Sequence, residues 1–163
     1  MEVKIIPATP EEESVLANLF ELYAHDFSEF SGLEIGEDGR FGYPHLHLYW
    51  KEPHRRPFLI RADGKLAGFV LLQKRSQISG DRDVWDIAEF FILRSYRRLG
   101  CGMKAAHAVW RMLSGRWEVR VMEQNRGAKE FWQRCVNEFT GRTIDAVIFD
   151  KGGKRWHVFS FQA

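Results

Sequence analysis

The chain is poor in the features that mark several classes of protein. It has only two cysteines, Cys101 and Cys135, in 163 residues, too few for a disulfide framework, so a fold stapled in an oxidising compartment is excluded. No apolar run approaches the ~20 residues needed to cross a bilayer. The charged, amphipathic N-terminus does not read as a secretory signal, and the expectation is a cytoplasmic protein with no membrane partner. The net charge is only +2, too small to make nucleic acid the main partner, and none is expected. The imbalance is local, with seven Arg or Lys against Glu118 alone across residues 94–120. Internal repeats and inter-domain linkers are missing too. Apolar side chains are plentiful, with six Trp and thirteen Phe among them, which excludes a disordered or low-complexity chain. Such a chain forms most simply one domain, residues 1–163, with a sizeable core.

Val3 to Ile6 reads as a strand ended by Pro7. Thr9, Pro10 and Glu12 form a capping box ahead of a helix. Val15, Leu16, Leu19, Phe20, Tyr23 and Phe27 then recur at helical spacing as core, which leaves Glu11 to Glu13, Asn18 and Glu21 mainly for water. From Ser28 to Tyr43 glycines and acids predominate, predicting a long mobile loop, and a short helix near Pro44 to Trp50 is stopped by Pro53 and Pro57. Asp63-Gly64, between Phe58–Ala62 and Leu66–Lys74, predicts a hairpin because both turn residues tolerate positive φ. A strand over Val84–Leu93, a helix over Gly102–Leu113, a strand over Trp117–Met122 and a helix over Gly127–Val136 follow. Thr143–Asp150 and Lys154–Phe161 form a last hairpin across Lys151-Gly152-Gly153. Strands and helices alternate only in the middle, so the sheet should be mixed, with one parallel pair and hairpins at both sides.

The most informative stretch is Glu89 to Lys104, where a hydrophobic strand runs into a basic, glycine-punctuated turn and then a helix. Gly100 and Gly102 remove side chains where the backbone must approach a ligand, and the helix aims unpaired N–H groups and its positive dipole end at the same spot. An anion belongs there. Arg94, Arg97 and Arg98 could serve it or could form a solvated loop.

This order of elements resembles the GNAT superfamily of N-acetyltransferases. Arg97-Arg98-Leu99-Gly100-Cys101-Gly102 fits that family's signature of Gln or Arg, two residues, Gly, any residue, then Gly or Ala, and Asn125 with Ala128, Phe131 and Trp132 follows the next strand. Gly39-Arg40-Phe41-Gly42-Tyr43, Glu89-Phe90-Phe91-Ile92 and Gly115-Arg116-Trp117-Glu118-Val119 look like a group of small bacterial predicted acetyltransferases. The resemblance implies an α/β fold with a mixed, centrally splayed β-sheet flanked by helices. It implies acetyl-CoA as co-substrate and transfer to a primary amine of a small-molecule or peptide acceptor. Pantetheine would act as a substitute strand along Phe91, Ile92 and Leu93. Leu99, Gly100, Cys101, Gly102, Met103 and Lys104 would hold the pyrophosphate, with Arg97, Arg98 or Lys104 meeting other phosphates. Asn125, with Ala128 close by, would bond the pantetheine arm, and Phe131 and Trp132 would wall the thioester end.

Direct transfer needs a neutral amine, a polarised carbonyl and a proton for the departing thiolate. Asp86 and Glu89 are the candidate general bases. Strand alternation puts them on opposite faces unless a bulge intervenes, and an ordinary salt bridge or a solvent-facing acid explains either. Trp132 stands where many members of the family have a tyrosine that protonates the thiolate, which indole cannot do, so water or Tyr23, Tyr43 or Tyr49 would substitute. Cys101 as a covalent carrier is weighed against Cys101 as a small packed residue. The six histidines show no metal-ligand spacing joined to a second cluster, and no metal is expected. Tyr43 and His45, with His47, fall in the region that the resemblance assigns to the acceptor pocket. Glu29, Glu34, Glu37 and Asp38 could attract a cationic amine or form a solvated acidic loop. Trp156, Phe159 and Phe161 on the last strand could make a homodimer contact or serve the core. A non-catalytic acyl-CoA-binding module is the alternative to an enzyme.

Overall fold

Alternating apolar positions build seven strands, which the computed structural model, describing residues 1–163, joins in a single sheet. In chain order the elements are β1 (Val3–Pro7), α1 (Glu13–Ser31), β2 (Arg55–Ala62), β3 (Lys65–Lys74), β4 (Val84–Ile92), α2 (Cys101–Met112), β5 (Arg116–Met122), α3 (Arg126–Thr140), β6 (Val147–Lys151) and β7 (Lys154–Gln162). The spatial order is β1-β2-β3-β4-β5-β7-β6. Every neighbouring pair is antiparallel except β4 and β5, so the mixed sheet with one parallel pair is present. Asp63 (φ 48°) and Gly64 (φ 78°) make the tight turn between β2 and β3. No helix is long and apolar enough to cross a membrane.

The two faces of the sheet bury different helices. On one, Ala105, Val109 and Trp110 of α2 and Trp132, Cys135 and Val136 of α3 pack on Ile60, Val70, Trp117 and Phe159. On the other, Leu16, Leu19, Phe20 and Ala24 of α1 pack on Leu59, Phe69, Leu71 and Phe91. Phe159 and Phe161 belong to the first core, so they are unavailable for a homodimer contact, and Trp156 lies half-buried beneath Arg120.

Two sequence expectations change on the α1 side. The helix does not give way to a loop at Ser28 but runs to Ser31, where Gly32 ends it in the left-handed conformation (φ 70°). Glu21, expected to face water, instead accepts hydrogen bonds from the backbone N–H groups of Phe41 (2.8 Å) and Gly42 (2.9 Å). Burial works against its charge, yet those two donors and Arg40 hold its pKa below the ordinary carboxylate value. The chain beyond α1 is thereby tied back to the helix. The last hairpin also starts later than expected, since α3 continues to Thr140 and β6 begins only at Val147.

Two features of the sheet position the site. Register between β3 and β4 pairs Leu71 with Glu89 but Leu72 with Ile87, which leaves Ala88 as an extra residue in a β-bulge. Further along, β3 and β4 approach so closely that a Cβ on Gly68 would lie 1.9 Å from the Phe91 carbonyl oxygen.

Candidate active site

The bulge decides which side chains of β4 share a face. Trp85, Ile87 and Ile92 join the core beneath α2 and α3, whereas Phe91 and Leu93 join the α1 side. Strict alternation cannot place 87 and 92 together, so Ala88 absorbs the odd step and brings Glu89 onto the face that carries Asp86. The two carboxylates therefore look the same way.

Their surroundings differ. Asp86 is fully buried and accepts from Arg120 Nε (2.9 Å) and Nη2 (3.0 Å), with Gln73 Nε2 at 3.5 Å. Arg120 comes from β5, in register with Glu118, whose carboxylate accepts from Ser76 Oγ at 2.7 Å. Glu89 has no such direct partner. Burial pushes its pKa up to about 7, only partly offset by the Tyr23 hydroxyl that faces it and by Arg120, and the Asp86 charge pushes it further in the same direction. Burial and the Glu89 charge in turn raise Tyr23 above the ordinary phenol value. Tyr43, stacked on Phe20 with ring centroids 4.4 Å apart, is raised by burial and by Glu89 as well.

Beyond this cluster the sheet opens. β4 and β5 pair only from Val84 with Arg116 to Asp86 with Glu118 and then diverge. Leu93 N–H donates to Ala67 O (2.9 Å), so the main-chain groups of Leu93, Phe91 and Glu89 turn toward β3, and those of Phe90 and Ile92 turn toward the gap. The gap widens into a cleft of about 980 Å³ between β4, α1, α3 and the start of α2. At its far end Gly100 (φ 80°) starts α2, and no side chain caps the helix, so the first N–H groups of α2 are free to meet a ligand. A Cβ on Gly102 would stand 3.1 Å from the Phe131 ring.

Most of the residues expected at the cofactor line this cleft, but not all. Phe91, Ile92, Arg97 and Arg98, then Gly100, Gly102 and Met103, and finally Asn125, Ala128, Phe131 and Trp132 all do. Leu93, Leu99, Cys101 and Lys104 do not. Leu99 is 63% exposed, and the Lys104 ammonium donates to Met1 O at 2.9 Å. Cys101 is buried in the core among apolar side chains, and burial, partly opposed by Lys104, raises its thiol pKa. Asn125 is the N-cap of α3, its Oδ1 accepting from Ala128 N–H at 3.1 Å, which leaves its Nδ2 for the cleft. Trp132 is packed edge-on between Phe90 and Phe131. Tyr43 and His45 lie outside the cleft, His45 exposed beside Tyr43.

Three residues matter that the sequence did not single out for these places. Arg120 sits on the Asp86 face because Glu118, Arg120 and Met122 alternate against buried Trp117, Val119 and Val121, a period-2 pattern that was open to reading. Asp26 accepts from Arg94 Nη2 and Arg97 Nη2, both at 2.6 Å, and so ties α1 to the glycine turn. Arg97 also donates through Nε to Ile92 O at 2.7 Å. Tyr23 both lines the cleft and faces Glu89, unlike Tyr43 or Tyr49.

Residues 16–136 match the acetyltransferase (GNAT) family. The chain belongs to that family of acyl-transferring enzymes. No curated protein matches it. In structure it is similar to an acetyltransferase from Thermus thermophilus, with a TM-score of 0.74 at 18% identity, covering 100% of this chain and 98% of that one. An aminoglycoside acetyltransferase in complex with coenzyme A gives 0.72 at 12% identity, covering 99% and 95%. A chimera of spermidine N-acetyltransferase SpeG from Vibrio cholerae and hSSAT gives 0.62 at 14%, covering 99% and 96%. At these identities the likeness is one of fold, including the splayed sheet flanked by helices.

Proposed function

We propose that the chain transfers an acetyl group from acetyl-CoA to a primary amine of a small-molecule or peptide acceptor by direct attack. The observation that carries this reading is the divergence of β4 from β5 after Asp86 and Glu118 into a cleft that ends at the uncapped start of α2.

The residues present fit coenzyme A. Main-chain groups of Phe90 and Ile92 face the gap with no strand opposite; Ile92 O already accepts from Arg97 Nε, and an extended amide chain laid there would partner the others. The first N–H groups of α2, beside Arg98 and Arg97, suit a pyrophosphate. Gly102 keeps the wall at Phe131 free of a side chain that would fill it. Bound there, acetyl-CoA supplies a thioester activated toward an amine. The remaining work falls to the chain. Glu89, poised near pH 7, accepts the proton that the acceptor nitrogen must lose, which is the protonation range in which a general base works at neutral pH. Tyr23 orients that carboxylate and marks the junction between it and the cleft. Asp86 holds Arg120 in place and does not itself face the amine. The alternative, a binding module without catalysis, draws on Trp132, whose indole offers no acidic hydroxyl at the thioester end.

A calorimetric titration with acetyl-CoA, beside dephospho-CoA and the Gly100→Glu variant, tests the reading. Gly100 has φ 80°, so the substitution strains the turn and sets a carboxylate against the phosphates, with an expected loss of about tenfold or more. Absence of binding to the wild type would end the proposal. Binding without acceptor-dependent release of CoA, across a panel of amines, would leave the non-catalytic module.

A further inference from the structure

At the end of the sheet where β4 begins, remote from the Ile92 end that opens into the cleft, a second hollow of about 530 Å³ lies among the start of β2, the end of β3 and the loop leading into β4. His54, Arg56, Lys74, Arg75 and Arg82 line it around Trp85, and no carboxylate does.

Seven arginines elsewhere in the chain stand within 4.0 Å of a carboxylate, whereas Arg56, Lys74, Arg75 and Arg82 have no ion-pair partner. Glu52 is taken by Arg55 at 2.6 Å and by His54 at 3.3 Å, with Arg75 only in its wider field, and Asp81 beside Arg82 is taken by Arg116. Lys74 lies over the Trp85 ring, 5.6 Å from its centroid. These cations are also carried on a braced frame. Ser76 Oγ donates to Glu118 (2.7 Å) and accepts from Ile78 and Ser79 N–H, while Arg116 holds Asp81 at 2.7 Å. Lys74 N–H reaches His54 O at 2.7 Å across the strand ends. Like charges carried together on a braced frame, with Arg56, Arg75 and Arg82 exposed to solvent, set up a local positive field that favours an anion among them.

We propose that this hollow binds a small anion with two or more linked phosphoryl groups. Four full charges from two elements, β2–β3 and the loop, exceed the charge of a single phosphate, and three of the four are guanidinium forks suited to phosphate oxygens. The small volume and the chain's net charge of +2 favour a small ligand over a nucleic acid. The inference does not rest on acetyl-CoA use.

Titration with inorganic pyrophosphate, beside orthophosphate and a single-stranded oligonucleotide, tests it. Measurements in the Gly100→Glu background remove the α2 turn as a competing site. Saturable pyrophosphate binding is expected there, tighter than orthophosphate, falling with salt, and weakened on the order of tenfold or more in Arg75→Glu/Arg82→Glu. The charge-neutral Arg75→Gln/Arg82→Gln should lose less, and both exposed pairs should melt like the wild type. Unchanged binding in the charge-reversed variant, no saturable binding, or binding to the oligonucleotide alone would overturn the proposal.

Discussion

Replacing Glu89 with Gln removes one ionisable group while keeping shape and volume, and its consequences can be worked out before any acceptor is known. The folded protein holds the Glu89 proton up to about pH 7, against an ordinary value of 4.5. Between those values the unfolded chain has lost the proton and the native state retains it, so stability falls as pH rises, by 1.36 kcal/mol per unit. The shift gives about 3 kcal/mol as an upper bound, because the carboxylate keeps part of its surface in water. The wild type should lose up to that amount through this group between pH 4.5 and 7, then level off. Glu89→Gln should not, so the variant's advantage in urea unfolding grows across that window and is constant above it. Parallel profiles for the two proteins would refute the burial argument. Once an acceptor is found, the variant should also lose roughly 10²–10⁴-fold in turnover, the usual contribution of a general base. The rise in wild-type rate through about pH 7 should vanish with it.

Two further substitutions test how the site is held. Gly68→Ala puts a Cβ 1.9 Å from the Phe91 carbonyl oxygen, so β3 and β4 must separate, and urea unfolding should show a loss of about 3 kcal/mol or more; a near-wild-type midpoint would mean that the strands are not fixed there. Asp26→Asn removes the charge that Arg94 and Arg97 share, two exposed to half-exposed partners, for an expected cost of about 1 kcal/mol at neutral pH. Burial raises the Asp26 pKa, but Arg97 and Arg94 outweigh it and hold it below 3.8. Its contribution is therefore complete above the unfolded value and fades as pH falls through the lower folded one. A variant-to-wild-type difference that persists undiminished in strong acid would contradict this.

The parts of the fold that were legible in the sequence are those set by neighbours along the chain. Asp63-Gly64, Gly100 and the capping residues of α1 announce their turns because each needs a particular residue type at a particular φ. The bulge at Ala88 does not, since an extra residue in a strand needs no special side chain, and without it Asp86 and Glu89 fall on opposite faces. Long-range pairs were equally hidden. Asp26 and Arg97 lie 71 residues apart and Lys104 and Met1 103 apart, so nothing local marks Arg97 as tied to α1 or Lys104 as engaged away from the cleft. Glu21 looked like a solvent-facing helix position because its partners, Phe41 and Gly42, arrive from a later segment.

The two acids of β4 show how the same chemical group acquires two roles three residues apart. Both lie within the field of Arg120, and Asp86 takes the Nε–Nη2 edge of its guanidinium from a fully buried position. Glu89 is left with Arg120 at a distance and Tyr23 alongside, too little to offset its burial, and the charge on Asp86 raises it further. Had Arg120 turned to Glu89, that carboxylate would be locked in an ion pair and Asp86 would be a buried charge without a partner, the costlier arrangement. The bulge and the pairing thus work together. One turns Glu89 toward the Asp86 face, and the other keeps it free to take a proton near neutral pH.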